Sequence, residues 1–132
     1  MKSIVQSIVC GMIVLVVAGG CVKRPIEGRA EKYLPKQIHF ASYDLANRTA
    51  VMQPIMERKG GLLHVTVPIR ADSMRDLHVD YRIRFLDDRG AAVYESGWTG
   101  GTVLESHTWS YVNANSPTAE AADFQIDFRY SQ

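Results

Sequence analysis

Apolar and polar residues alternate along much of the second half of the chain. Leu77, Val79, Tyr81, Ile83 and Phe85 share one phase of a period-two pattern, while His78, Asp80, Arg82 and Arg84 share the other. Phe124, Ile126, Phe128 and Tyr130 alternate with Gln125, Asp127 and Arg129, and Leu63, Val65, Val67 and Ile69 with His64, Thr66 and Pro68. A period of two belongs to strands with one buried face. Three strands are therefore predicted, with their apolar phase in the core and their polar phase in solvent. Pro68 cannot donate to a ladder, which places the end of its strand at an edge or a bulge. Asp87-Asp88-Arg89-Gly90 reads as a hairpin turn with glycine at the left-handed position, after which residues 91–94 return as a partner strand.

Weaker strand patterns cover residues 37–43, 50–57, 102–104 and 108–113, separated by turns at Gly60-Gly61, 71–76, 97–101 and 115–117. Residues 118–122 suit one helical turn. No stretch after residue 21 supports a long helix, and no repeat is present. Seven or eight short strands with turns about every 8–12 residues describe an all-β sandwich or barrel.

The N-terminus obeys a different rule. Apart from Lys2 the first 22 residues carry no charge, and the segment from Ile4 to Ala18 is mostly Ile, Val, Leu and Met. One lysine, an apolar run short of the roughly 20 residues of a spanning helix, and a small-residue site make a secretory signal peptide. Ala18-Gly19-Gly20-Cys21 resembles the lipobox of bacterial lipoproteins, with Ala18 where leucine is usual. The resemblance implies removal of residues 1–20, lipid on Cys21, and membrane attachment through that lipid; two or more acyl chains anchor stably where one does not. Val22 in place of aspartate implies sorting to the outer membrane, facing the periplasm. Residues 21–36, with Pro25, Gly28 and Pro35, read as the lipidated cysteine and a tether, and residues 37–132 as the domain.

Composition then narrows the function. The chain is 46% hydrophobic and 22% charged, as a folded domain is. Its 15 basic and 14 acidic residues give no electrostatic case for nucleic-acid binding, and loss of Lys2 with the signal peptide balances them. Cys10 lies in the removable segment and Cys21 is the lipid acceptor, so no disulfide is expected.

The domain resembles the YcfL-like family of small periplasmic lipoproteins, a domain of unknown function. The residues that carry the resemblance are Gly60-Gly61-Leu62-Leu63 leading into Val65-Thr66-Val67-Pro68-Ile69, then Leu77, Tyr81-Arg82-Ile83-Arg84-Phe85, Asp87 and Gly90. Gly97-Trp98, Ser116-Pro117, Ala122-Asp123-Phe124 and Phe128-Arg129 continue it. The resemblance implies an immunoglobulin-like antiparallel β-sandwich of about seven strands in the cell envelope. It implies no catalytic residue, cofactor or ligand.

Candidate chemistry is sparse. His39, His64, His78 and His107 have no ligand spacing among them, so no metal site is expected, although His64 and His78 could meet on neighbouring strands. Arg82, Arg84 and Arg129 could form a basic stripe for an anionic partner such as a peptidoglycan peptide, with Asp80 and Asp127 in phase to neutralise them by cross-strand pairing. Asp87 and Asp88 suit turn chemistry better than calcium, since the loop is too short to supply six or seven oxygens. Glu95-Ser96-Gly97 lacks the flanking glycine of a nucleophile elbow. Trp98, Trp109 and Tyr111 are the aromatics best suited to a binding surface, with at least one tryptophan expected in the core. The reading is a lipid-anchored, non-enzymatic envelope protein without a cofactor, which binds an envelope protein or peptidoglycan. A purely structural lipoprotein is the alternative, and a small enzyme acting on the cell wall is less favoured.

Overall fold

Two ten-residue strands form the axes of two sheets. The computed structural model describes residues 33–132; the expected signal peptide, the expected lipid acceptor Cys21 and most of the expected tether lie outside the described residues. The elements are β1 (Ile38–Phe40), α1 (Tyr43–Asn47), β2 (Thr49–Val51), β3 (Ile55–Lys59), β4 (Leu62–Ala71), β5 (Leu77–Leu86), β6 (Ala92–Glu95), β7 (Thr99–Leu104), β8 (Ser110–Asn115) and β9 (Asp123–Tyr130). In one sheet β5 pairs with β9 on one flank and with β6 and β7 on the other, and β1 adds to β9 in parallel. In the second sheet β4 pairs with β8 on one flank and with β2 and β3 on the other. The architecture is the all-β sandwich the alternation predicts, with nine strands among the described residues instead of about seven.

The three clear strands keep their predicted phases. Leu63, Val65, Val67, Ile69 and Ala71 of β4 are buried, as are Leu77, Val79, Ile83 and Phe85 of β5 and Phe124, Ile126 and Phe128 of β9. Phe128 stacks on Phe40 at 5.6 Å between ring centroids, which fastens the short edge strand β1 to the core. The Gly60-Gly61 turn has φ values of 59° and 77°. Positive φ at both central residues is the condition for a two-residue hairpin loop, here joining β3 to β4. At the other hairpin, Asp87 Oδ1 accepts from the backbone N–H groups of Arg89 and Ala91, both at 2.9 Å. One oxygen of Asp87 thus serves turn geometry twice.

Five local expectations are corrected. Pro68 sits at neither an edge nor a strand end but within the central strand β4. On one flank β4 passes from β3, which ends at the Ile55–Thr66 pair, to β2, which begins at the Val51–Ile69 pair. Pro68 lies in that interval, where its carbonyl accepts from Met52 N–H at 3.1 Å. A residue's N–H and C=O point to the same flank of a strand. The missing donor leaves the pair with Met52 a single bond, at the level where β2 ends.

Residues 37–43 are not one strand: β1 is followed by α1, capped by Ser42, whose hydroxyl accepts from Leu45 N–H at 3.2 Å. Leu45 is completely buried, so one helical turn closes the space beside β2. Residues 50–57 split into β2 and β3, while 118–122 form turns instead of a helical turn. Gly100 and Gly101 belong to β7 as a bulge: Val79 pairs with Thr102 and Tyr81 with Thr99, so two glycines oppose Asp80, and Gly101 has φ 77°.

Two experiments test this packing. Phe85→Ala should cost about 3–5 kcal/mol in denaturant melts through lost burial and the cavity left behind, whereas His78→Ala on the exposed phase should shift stability by about 0.5 kcal/mol or less. Equal losses would overturn the phase assignment. The second concerns α1, to which the Tyr130 hydroxyl donates a hydrogen bond at Asp44. Burial, then that hydrogen bond, raise the Tyr130 pKa above the ordinary phenol value. A raised folded pKa means stabilisation present below about pH 10 and lost as pH rises through the folded value. Tyr130→Phe should therefore flatten the fall of stability above about pH 10, and an unchanged pH profile would refute the contact.

Candidate functional site

The predicted binding residues divide between the two outer faces. Arg82 and Arg84 on β5, Arg129 on β9 and Trp98 before β7 gather on the outer face of the β5 sheet. Trp109 and Tyr111 lie at β8, on the other sheet. His64 on β4 and His78 on β5 likewise belong to different sheets and do not meet. Among the described residues no three His, Cys, Asp or Glu side chains come close enough to hold a metal ion.

The register explains the first cluster. Asp80 stands opposite Arg129, and Arg82 opposite Asp127. Direct antiparallel neighbours on one face have side chains within reach of each other, and both predicted cross-strand pairs form. Arg82 Nε donates to Asp127 Oδ2 at 2.8 Å, and Arg129 Nε to Asp80 Oδ2 at 3.3 Å. Glu95 of β6 adds a carboxylate the sequence reading missed, 3.3 Å from Arg84 Nη2 and 4.0 Å from Arg82 Nη1. Gln125 accepts from Arg84 Nη1 at 3.4 Å. Three arginines thus meet three carboxylates, and the stripe is neutral. The hydrogen bond that Arg82 donates to Asp127 raises the Arg82 pKa above its already high ordinary value.

Asp80 departs from the expectation that its phase is solvated. It is buried, and Ser131 Oγ donates to its second oxygen at 2.9 Å. The glycine bulge runs directly beside it: a Cβ on Gly100 would lie 3.4 Å from Asp80 Oδ1. Trp98 covers the same region. The guanidinium carbons of Arg129 and Arg82 lie 4.0 and 4.7 Å from its ring centroid, distances at which cation–π attraction operates.

Ser96 positions this tryptophan. β6 leaves β5 at Arg84 and β7 rejoins it at Tyr81, which leaves Ile83 unmatched. Ser96 fills the interval: Ile83 N–H donates to Ser96 Oγ and Ser96 N–H to the Ile83 carbonyl, both at 2.9 Å. The chain is pinned there, two residues before Trp98. Beside the ring, a cleft of about 220 Å³ is lined by His39, Phe40, Ala41, Arg82, Trp98 and Asp127.

On the other sheet Trp109 stacks with Arg70, whose guanidinium carbon is 4.9 Å from the ring centroid. Tyr111 is 59% exposed. Neither tryptophan enters the core; both are half-buried on outer faces, held by arginines. The core space is filled by three phenylalanines and aliphatic residues instead. A larger cleft of about 380 Å³ lies near the start of the domain, lined by Tyr33, Leu34, Phe40, Tyr43 and Val51 among others.

The model of a protein family of unknown function, DUF1425, matches residues 36–130. The chain belongs to the DUF1425 family. Among solved structures, a DUF1425 family member from Shewanella sp. pv-4 is 24% identical, with a TM-score of 0.57 over 64% of this chain and 79% of that one. The Campylobacter jejuni protein cj0090 is 16% identical, with a TM-score of 0.60 over 74% of this chain and all of that one. Both share the fold. No curated protein matches the chain.

The buried acid of this cluster can be separated from its exposed pairs. Asp80→Ala leaves Arg129 and Ser131 without their acceptor and should cost about 1–3 kcal/mol. Arg84→Ala, at a third exposed, should cost about 0.5 kcal/mol or less. Thermal or denaturant melts of the two variants decide the matter, and the reverse order would show that the paired arginines carry the stability.

Proposed function

We propose that this DUF1425 protein is a YcfL-like lipoprotein, anchored by lipid on Cys21 in the outer membrane and facing the periplasm. There it acts without catalysis by binding another envelope component. The observation that carries the reading is the cleft beside Trp98. An aromatic ring, a guanidinium–carboxylate pair and the His39 imidazole converge on it. Rings and paired polar groups of this kind suit a sugar ring or a peptide side chain, and peptidoglycan supplies both. At about 220 Å³ the cleft is below the 300–1,000 Å³ usual for small-molecule sites, which favours one protruding group of a large partner.

Pairing of every arginine in the stripe favours a second reading, a structural lipoprotein whose charges serve only its own stability.

Two arms test the proposal on the full-length protein. Cys21→Ser removes the acyl acceptor and should leave an unprocessed precursor outside the outer-membrane fraction; normal mature protein in that fraction would refute lipidation. Isolated cell-wall sacculi should co-sediment the parent protein, and Trp98→Ala should lower the bound fraction about tenfold, the effect of losing a hot-spot aromatic, with its circular dichroism retained. Equal retention of parent and variant would leave the structural reading in its place.

A further inference from the structure

Sheet edges are sites of unwanted or wanted pairing, and five of the six here are blunted. β1 and β2 have three residues each. β3 carries Glu57, Arg58 and Lys59, and β6 has four residues ending in Glu95. β7 contains the glycine bulge opposite Asp80. Short length, charge and bulges are the devices that keep edges from pairing.

β8 has none of them. Its six residues, Ser110-Tyr-Val-Asn-Ala-Asn115, hold unbroken register with β4 and include no charge and no proline. Pro68 turns its carbonyl toward β2, as its bond from Met52 shows. Tyr111, opposite Pro68, therefore turns its own N–H and C=O away from β4, and by alternation Asn113 and Asn115 do the same. All three residues are exposed, and no strand among the described residues pairs with that flank.

We propose that β8 pairs antiparallel with β8 of a second copy of this chain. Asn113 then faces its own counterpart across a two-fold axis, and Tyr111 faces Asn115. In this register the six free backbone groups of each edge all find partners, and no like charges meet. Isologous contact across a two-fold axis is the commonest way identical chains associate. The neutral edge offers no charge pattern to select a different strand, which is how unlike partners are usually distinguished. Asn113 suits the axis: its Oδ1 already accepts from Thr66 Oγ1 at 2.9 Å, which leaves its amide N–H groups free to donate across the pair. The two four-stranded sheets become one. A single strand pair buries less than the roughly 1,200 Å² of a stable interface, so association is reversible. The pairing does not require lipid on Cys21; confinement to one membrane plane would raise the effective concentration.

The test uses the full-length chain in its native membrane. With a short bismaleimide, Asn113→Cys should give a covalent dimer well above the background of the parent, which holds only Cys10 and Cys21. Glu57→Cys, on the charged edge β3, should stay at background. In mild detergent, Asn113→Lys places two cations at the axis and should weaken self-association about tenfold or more, with its melting curve unchanged. The crosslinking arm does not depend on that variant folding. A dimer no more abundant from Asn113→Cys than from Glu57→Cys, capture of a different protein at position 113, or association indifferent to Asn113→Lys would each overturn the proposal.

Discussion

β4 and β5 are each ten residues long, about 33 Å at the rise of an extended chain. Nearly every other feature follows from covering them. Each buries its alternate apolar side chains against the other sheet, and each has one flank covered by a single strand, β8 or β9. The opposite flanks are shared by pairs of short strands, β2 with β3 and β6 with β7. Shared flanks create intervals, and the chain fills each with a residue of fitting chemistry. Pro68 stands where β2 ends and keeps one bond, from Met52, and Ser96 offers its hydroxyl where Ile83 lacks a strand partner on the β6–β7 flank.

The outer faces show how a small sandwich carries charge. Asp80 is buried at a point where a purely apolar strand would be easier to desolvate, and it persists because Arg129 and Ser131 satisfy both oxygens. The neighbouring pairs are partly exposed and individually weak. Their joint effect is geometric: Arg82 and Arg129 fix the ring of Trp98, and the cleft beside it takes its shape from side chains that are already restrained.

Periodicity made the long elements legible. β4, β5 and β9 and their buried phases follow from alternation, and the pairing of Asp80 and Asp127 with the arginines follows from shared phase. What escaped were features that depend on register between distant segments. Glu95 reaches the arginines because a register shift between Phe85 and Leu86 displaces β6, and no local pattern encodes that shift. Gly100-Gly101 and Pro68 carry the composition of turns and edges, yet both stand inside strands, the glycines as a bulge opposite one residue of β5 and the proline where the flank of β4 passes from β3 to β2. The helix α1 has a local sign, Ser42 with Asp44 two residues on, which suits an N-terminal cap; the apolar residues around it mask the sign by also fitting a strand.

The interval at Pro68 also bears on how the sheet moves. β2 and β3 cover separate stretches of that flank of β4, and the Met52–Pro68 bond lies between them. Short flanking strands open locally at a lower free energy than a whole sandwich, and the proline removes one of the two bonds by which β2 could have been extended toward β3. The break in the flank is thus written into the sequence at one residue.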